Sequence, residues 1–455
     1  MPSSPAVALE HARKARDKVL SELREFLSIP SVSSNPQGHD DIKRATDWLC
    51  GRLKTLGLER VEALATAGHP VVYGESLTAG PSAPTVLMYG HYDVQSAAPL
   101  GDWDTDPYRP VVRGDSLFAR GSSDNKGQIM ACVAAVQAVM KAGPLPVNLK
   151  FIVEGEEELG SPNFAGFLEE HRDRLGGDFV LNPDAGMLGP DTPTIYYGLR
   201  GMYVCKLRVV GPSRDLHSGS YGGVVHNPIH ALSHMIAGLH DRDGRVTLRG
   251  FYDRVRELTP EERAEMAALP RDEASYLEQS GVSKLWGEPG FTPVEREGAR
   301  PAVDVIHILA GSPKSAIPAE ASAIITARLV PDQDPNEVHE GLMQHLKDSI
   351  PSTVSWEVQK CEGFPASLTD RSSPGVLALA SAMVDVWGTE PVFCRSGGSI
   401  AAVGQLQTIL GIDSVLTGFA LPDAQMHGPN EKLHLPTWQK GIEALVRFIY
   451  HLADA

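Results

Sequence analysis

Cysteine is scarce in this chain of 455 residues, which contains only five. The five are widely spaced, and no two of them form a CxxC pair: Cys50, Cys132, Cys205, Cys361 and Cys394. An odd number of scattered thiols predicts a reducing compartment rather than a disulfide framework. It also argues against thiolate ligands, so any bound metal ion must be held by His, Asp and Glu side chains.

The sequence also contains no segment expected to enter a membrane. Residues 1–12 have no apolar run between a basic start and a cleavage site, so we predict no signal peptide. No stretch approaches the roughly 20 apolar residues that span a bilayer. We therefore expect a cytoplasmic protein with no membrane partner.

Basic residues are fewer than acidic ones. The chain has 41 Lys and Arg residues and 57 Asp and Glu residues, which gives a formal net charge of −16. An acidic surface repels nucleic acid and anionic lipid, so neither is an expected partner. Apolar residues make up 42% of the chain, which is enough for a buried core. The length predicts two or three domains, and no internal repeat is evident.

Strand and helix patterns alternate along the first part of the chain. Short apolar runs predict strands over 85–89, 148–153 and 178–181, and an Ala-rich segment predicts a helix over 128–141. Further helices are expected over 9–27, 41–56, 374–387 and 438–452, with a further strand over 414–417. This alternation predicts an α/β fold, with a mostly parallel sheet and helices on both faces.

The pattern changes after residue 201. Alternating residues over 202–210 and 322–329 predict half-exposed strands, and 226–239 and 336–350 read as helices. These elements indicate a smaller α+β domain with helices on one sheet face. Residues 241–300 are charged and interrupted by Pro and Gly, which predicts an insertion of short helices and loops. The expected layout is a larger domain in two parts and an inserted smaller domain: residues 1–199, 365–455 and 200–364.

Histidine and acidic residues collect where predicted strands end. They are His91 with Asp93, Asp124, the Glu run at 156–158, and Asp184, and His427 follows the last strand by a loop. In an open α/β sheet, ligands bind at the carboxyl ends of the strands, so these groups should converge on one cleft. Buried carboxylates repel one another unless cations neutralise them. A pair of divalent metal ions would do so. Imidazole and carboxylate ligands suit zinc first, with manganese or cobalt as alternatives.

Each of these residues also has an ordinary interpretation. Asp124 could cap a helix, and Asp184 could belong to an Asn-Pro-Asp turn. The Glu run could be a solvated charge cluster, which is the usual fate of such runs. Their occurrence at successive strand ends favours the metal cleft.

Several motifs, in this order along the chain, resemble the M20 metallopeptidases, and within them the carnosinase-like cytosolic dipeptidases. The motifs lie at 88–94 (MYGHYDV), 119–127 (ARGSSDNKG), 154–161 (EGEEELGS), 215–219 (DLHSG), 315–318 (SAIP), 327–331 (ARLVP), 397–400 (GGSI) and 426–431 (MHGPNE). The resemblance covers nearly the whole chain. It implies a zinc-peptidase-like catalytic domain that is interrupted by a lid or dimerisation domain.

The resemblance also implies a ligand set for two metal ions. Asp124 would bridge them, His91 and Asp184 would complete one site, and Glu158 and His427 the other. Zinc is the expected metal.

In the same resemblance, Glu157 is the general base that activates the metal-bridging water. Gly160 and Ser161 fix the register, because the two Glu residues before Leu159 are then the base and the ligand. Glu156 is expected to have no role. Asp93 would hydrogen-bond the far ring nitrogen of His91 and so orient it.

Further residues, beyond the implied metal ligands and the base, are implied to act on the substrate. His217 would reach across a homodimer interface into the partner's site and stabilise the oxyanion. Arg328 would bind the substrate's terminal carboxylate, for which a guanidinium fork is suited. Ser315 and Ser399 would add hydrogen bonds, although Ser is often a plain loop residue.

We therefore expect a two-metal hydrolase that cleaves dipeptides or very short peptides. One alternative keeps the fold and metals but acts on N-acyl or N-carbamoyl amino acids. A distant alternative is a non-catalytic binding protein, which would be expected to lack a ligand or the base.

Overall fold

The structure is a computed structural model that describes residues 4–312 and 315–454. The chain divides into two compact units. The larger unit contains Met1–Tyr197, Thr369–Cys394 and Gln405–Ala455, and the smaller contains Gly198–Leu368 and Arg395–Gly404. The segment Arg395–Gly404 thus groups with the smaller unit. The predicted domain bounds, at 199/200 and 364/365, stay a prediction.

The helices and strands have the following bounds. The α-helices are α1 (Pro5–Lys14), α2 (Arg16–Leu27), α3 (His39–Leu56), α4 (Lys126–Ala142), α5 (Phe164–Glu170), α6 (Ser218–Tyr221), α7 (Pro228–Ala237), α8 (Pro260–Ala267), α9 (Glu273–Ser280), α10 (Pro293–Ala299), α11 (Pro335–Ser349), α12 (Pro374–Trp387), α13 (Ala401–Gln405) and α14 (Leu435–Ala453). The strands are β1 (Arg60–Leu64), β2 (Val71–Ser76), β3 (Thr85–His91), β4 (Val111–Arg113), β5 (Ser116–Phe118), β6 (Asn148–Glu154), β7 (Phe179–Asn182), β8 (Thr194–Leu199), β9 (Gly201–Val210), β10 (Leu216–His217), β11 (Ala302–Ala310), β12 (Ala316–Ile317), β13 (Glu320–Leu329), β14 (Ser355–Phe364), β15 (Ser367–Leu368), β16 (Val392–Ser396), β17 (Ser414–Leu416) and β18 (Lys432–His434).

A twisted sheet forms the centre of the larger unit, with the strand order β1-β2-β6-β3-β7-β17-β8. The four strands β6, β3, β7 and β17 run parallel to one another, and β1, β2 and β8 join antiparallel. Every residue of β6 is buried, as expected for a parallel strand that is covered on both faces. The predicted α/β fold with a mostly parallel sheet is confirmed.

The helix predicted over 9–27 is divided at Ala15, which separates α1 from α2. The local sequence contains no Pro or Gly to mark this point. The first helix packs against α4 and α14, whereas the second packs against α4 and α3. Tertiary packing therefore sets this break, and hydrophobic spacing alone does not reveal it.

The smaller unit contains a four-stranded antiparallel sheet with the order β11-β13-β9-β14. Alternate residues of β9 are buried, and α7 and α11 pack on the strands from one side. This confirms the prediction of an α+β unit with one covered sheet face. Residues 241–300 form the short helices α8 to α10, as expected, and they also have a small apolar cluster of their own. Among the described residues, no helix combines the length and the apolarity that crossing a bilayer requires.

Candidate metal centre

The predicted ligands lie at one edge of the large sheet. His91 is the last residue of β3, Asp184 comes two residues after β7, and Glu157 and Glu158 form a single turn of 3₁₀ helix just beyond β6. Because these three parallel strands are neighbours, their carboxyl ends meet at the same edge. Contrary to the prediction, Asp124 does not lie at the end of a strand of this sheet. It lies in the loop before α4, next to a cis peptide bond with Asn125.

Asp124 lies between two histidines, and each of its carboxylate oxygens faces a different one. Its Oδ1 is 3.1 Å from Nε2 of His91, and its Oδ2 is 2.9 Å from Nε2 of His427. Asp184 Oδ1 lies 3.7 Å from the first histidine, and Glu158 Oε2 lies 3.2 Å from the second. The structure thus brings all five predicted metal ligands into one cluster.

Glu157 belongs to the same cluster. Its Oε2 lies 3.9 Å from Nε2 of His91, and these two residues and Asp184 form one group able to surround an ion. His91, Asp124 and Glu158 form a second such group. The cluster therefore offers two overlapping sets of oxygen and nitrogen donors.

The ring of His91 is held from its far side by Asp93. Nδ1 donates to the backbone carbonyl oxygen of Asp93 at 3.1 Å and lies 3.3 Å from its carboxylate Oδ1. The other carboxylate oxygen accepts the backbone N–H of Glu158 at 3.2 Å. A proton on Nδ1 leaves the lone pair of Nε2 directed into the cluster, which is the tautomer that a metal ligand needs.

The cluster has more negative charge than its surroundings neutralise. Burial raises the pKa of Glu157 well above its usual range, and repulsion from Asp184 and Asp124 adds to this, against the attraction of His91. Although burial disfavours the charged ring of His91, hydrogen bonds to Asp124 and Asp184 raise its pKa well above the usual value. Hydrogen bonds to Asp124 and Glu158 likewise raise the pKa of His427 to about 10.

The grouping of these donors fits a metal ion. Protons can relieve the repulsion among these groups, and divalent cations would replace such protons. The donors are imidazole and carboxylate without thiolate, which suits zinc, manganese or cobalt. The side chain of His427 is 58% exposed, so the cluster is open to small molecules on that side.

Two polar residues near the ligands have contacts that the sequence analysis did not anticipate. Asn125 Nδ2 donates to Asp184 Oδ1 at 2.7 Å, which orients that carboxylate. Glu431 is fully buried and accepts hydrogen bonds from the loop that carries Asp124. The sequence placed it within the 426–431 motif, but nothing local distinguishes it from a surface Glu beside Asn430.

The remaining predicted site residues lie in the smaller unit. Arg328 Nη1 donates to Ser399 Oγ at 2.7 Å, so these two predicted substrate residues are in contact. His217 is exposed, and its Nδ1 accepts the N–H of Gly219 at 3.0 Å. Ser315 is also exposed, and its backbone oxygen accepts the N–H of Ser218, the neighbour of His217, at 3.3 Å.

Residues 87–451 match the profile of Peptidase family M20/M25/M40. The chain belongs to this family. The predicted resemblance to M20 metallopeptidases is therefore confirmed, and it extends over most of the sequence.

Several relatives of this M20 family member align along nearly their whole length. The human Beta-Ala-His dipeptidase is 29% identical over all of this chain and 94% of its own. The Cys-Gly metallodipeptidase of Candida albicans is 29% identical over 97% of this chain and 96% of its own. The crystal structure of an M20 family metallo-carboxypeptidase from Sulfolobus solfataricus has a TM-score of 0.88 and 32% identity, covering 96% of this chain and 100% of that one.

Proposed function

We propose that this M20 metallopeptidase uses two metal ions to hydrolyse the peptide bond of dipeptides or very short peptides. The position of Asp124 between His91 and His427 carries the proposal, because a carboxylate with one oxygen toward each histidine suits a bridging ligand. Full-length relatives that are named dipeptidases favour the substrate class.

The ligands would divide between two sites that share Asp124. His91 and Asp184 would complete one site, and Glu158 and His427 the other. When bound, a pair of divalent cations makes a water molecule acidic near neutral pH and stabilises negative charge on the carbonyl oxygen. Zinc is the proposed metal, with manganese or cobalt as alternatives.

Glu157 would move the proton. Its carboxylate would accept a proton from the attacking water and pass it to the leaving amine. A carboxylate is a weak base at its ordinary pKa, and burial raises the pKa of Glu157. Asp93 would act through His91 by fixing the orientation and tautomer of that ring.

Residues of the smaller unit would recognise the substrate. Arg328 already donates to a hydroxyl oxygen, and its guanidinium would pair with the substrate's terminal carboxylate. Ser399 and Ser315 would add hydrogen bonds to the substrate backbone. His217, which is exposed, would donate to the developing oxyanion.

We further propose a twofold homodimer in which His217 acts in the partner's site. Strand β11 supports a dimer, because it lies at the edge of its sheet and exposes three large apolar residues there. Ile306, Ile308 and Leu309 are 62%, 53% and 63% exposed. An apolar sheet edge of this kind usually pairs with a partner. A cytoplasmic location remains part of the proposal.

A substrate panel with defined metal loading tests the proposed activity. Metal-free protein is prepared with a chelator, checked by elemental analysis, and reloaded with zinc, manganese or cobalt. Each form is assayed on free dipeptides, N-acetyl amino acids and N-carbamoyl amino acids. We expect metal-dependent cleavage of the dipeptides. Unchanged turnover after complete metal removal would refute the proposal, and preference for acyl or carbamoyl substrates would favour the amidohydrolase alternative.

A carboxypeptidase is a second candidate, because a relative at 32% identity and TM-score 0.88 has that name. Dipeptides with a blocked amino terminus separate the two activities. A carboxypeptidase accepts the blocked substrate, since it needs only the free carboxylate. A dipeptidase that recognises both ends is expected to cleave the free dipeptide at least about tenfold faster than the blocked one. A difference of this size corresponds to the free energy of about one hydrogen bond to a charged group.

A further inference from the structure

The carboxylate of Glu431 is fully buried and holds the loop that carries Asp124. Its Oε1 accepts the backbone N–H groups of Ser123 at 2.8 Å and of Asp124 at 3.1 Å. Its Oε2 accepts hydrogen bonds from Nη1 of Arg120 at 2.7 Å and from the backbone N–H of Gly121 at 2.9 Å. One side chain thus satisfies three backbone donors and a guanidinium within a five-residue stretch.

Additional hydrogen bonds join the loop before α4 to the segment around Glu431. Arg120 Nη2 donates to the carbonyl oxygen of Gly428 at 3.1 Å, and Ser123 Oγ donates to that of Lys432 at 2.7 Å. The N–H of Ala119 donates to the carbonyl oxygen of Glu431 at 3.1 Å. The loop before α4 is therefore fastened to the loop that contains His427.

These contacts fix the distance between two proposed ligands. Asp124 is held through its own N–H, and His427 lies four residues before Glu431 in the fastened loop. Metal coordination tolerates deviations of only about 0.2 Å from ideal distances, so a shift of either loop would disturb ligation. Outer residues that orient ligands commonly change metal affinity by about 10–100-fold when they are replaced.

We propose that Glu431 is a positioning residue that keeps Asp124 and His427 at the spacing needed for two metal ions. This inference rests on the proposed function. The role requires a carboxylate of this length. In Glu431→Gln the amide NH₂ replaces one acceptor and faces N–H donors, and in Glu431→Asp the charge remains but the carboxylate is withdrawn by one methylene group.

Cobalt binding to the full-length, metal-free protein tests the proposal without any assay of activity. Titration calorimetry gives stoichiometry and affinity, and the visible absorption of bound Co²⁺ reports its coordination. Glu288→Gln is the matched control, because Glu288 is equally a buried carboxylate in a bidentate pair, with Arg300 at 2.8 Å from each oxygen. Thermal unfolding of each metal-free variant measures the loss of stability separately.

We expect the unaltered protein to bind two Co²⁺ ions. Glu431→Gln should bind at least one of them about 10–100-fold more weakly, with a changed absorption spectrum. Glu288→Gln should bind two ions normally, even if its unfolding temperature falls as much as that of Glu431→Gln. If Glu431→Gln does not fold, Glu431→Asp takes its place, and it should also bind cobalt more weakly.

Several outcomes would overturn the inference. Wild-type affinity and spectrum in both Glu431 variants would show that Asp124 needs no such support. Equal weakening in Glu288→Gln would show that any loss of stability has the same effect, and that Glu431 has no special position. If the unaltered protein bound neither cobalt nor zinc nor manganese, the proposed function itself would fail, and the inference with it.

Discussion

Replacing Glu157 with Gln should lower activity without lowering the stability of the metal-free protein. The substitution keeps the size of the side chain and removes the carboxylate that would accept the proton. That carboxylate lies in a cluster where burial and neighbouring carboxylates raise its pKa well above the usual range. Because its charged form is disfavoured there, the neutral amide should relieve repulsion in the metal-free protein.

The expected size of each effect follows from these roles. General-base catalysis contributes about 10²–10⁴-fold, so kcat on a dipeptide should fall by that factor, equivalent to about 3–5 kcal/mol in the barrier. The unfolding temperature of the metal-free protein at pH 8 should stay equal or rise. Metal stoichiometry should be unchanged, since Glu157 is proposed as a base and not as a ligand.

Glu156→Gln is the matched control for this experiment. Glu156 is the preceding residue and is also buried, but its Oε2 accepts a hydrogen bond from Asn163 Nδ2 at 2.8 Å. An amide oxygen can accept that bond equally well, so activity should remain near wild type. Steady-state kinetics at saturating metal and scanning calorimetry in chelator measure both quantities. Equal activity of wild type and Glu157→Gln would refute the assignment of the base.

Three further predictions concern the histidines and the proposed carboxylate site. The metal-free protein should lose stability as the pH rises from about 6.5 to about 10. The hydrogen-bonded ring of His427 has a pKa of about 10 when folded, above its unfolded value, so the folded state holds the extra proton across that window. Thermal unfolding in chelator checks this, and His427→Gln should flatten the slope. Mixing inactive His217→Ala with inactive Glu157→Ala should restore about a quarter of wild-type activity, because half of the dimers are mixed and one site in each is complete. No recovery despite proven subunit exchange would mean that His217 acts within its own chain. Arg328→Lys should raise KM by about tenfold or more with little change in kcat, since Lys cannot form the guanidinium fork. Arg208→Lys, an exposed change in the same sheet, is its control, and an equal effect on KM would contradict the assignment.

Helices with clear end signals were predictable from the sequence. The predicted helix over 374–387 has the observed bounds of α12, because Pro374 begins it and Gly388 ends it in the left-handed conformation. Strand β3 continues two residues beyond its prediction, since Gly90 and His91 carry no strand signal but pair with β6. The division at Ala15 depends on packing between distant helices, which local spacing does not encode.

The candidate site could be predicted as a set of residues but not as a geometry. Strand ends and motif order pointed to His91, Asp124 and Asp184. His91 and Asp184 converge because β3 and β7 are adjacent parallel strands, whereas Asp124 reaches them from the loop before α4. The orientation of Asp124 between two histidines depends on a contact with His427, which is distant from it in the sequence. Glu431 could not be assigned a role, because its partners lie more than 300 residues earlier.

The order of the cluster's parts along the chain constrains how the protein can mature in the cell. His91, Asp124, Glu157, Glu158 and Asp184 are synthesised first, and the entire smaller unit is translated before His427 and Glu431 emerge from the ribosome. Because domains tend to fold as they are made, the first part of the larger unit must wait, with its carboxylates unbalanced, for its last segment. The proposed metal site that includes His427 would therefore be completed only after the smaller unit has been synthesised.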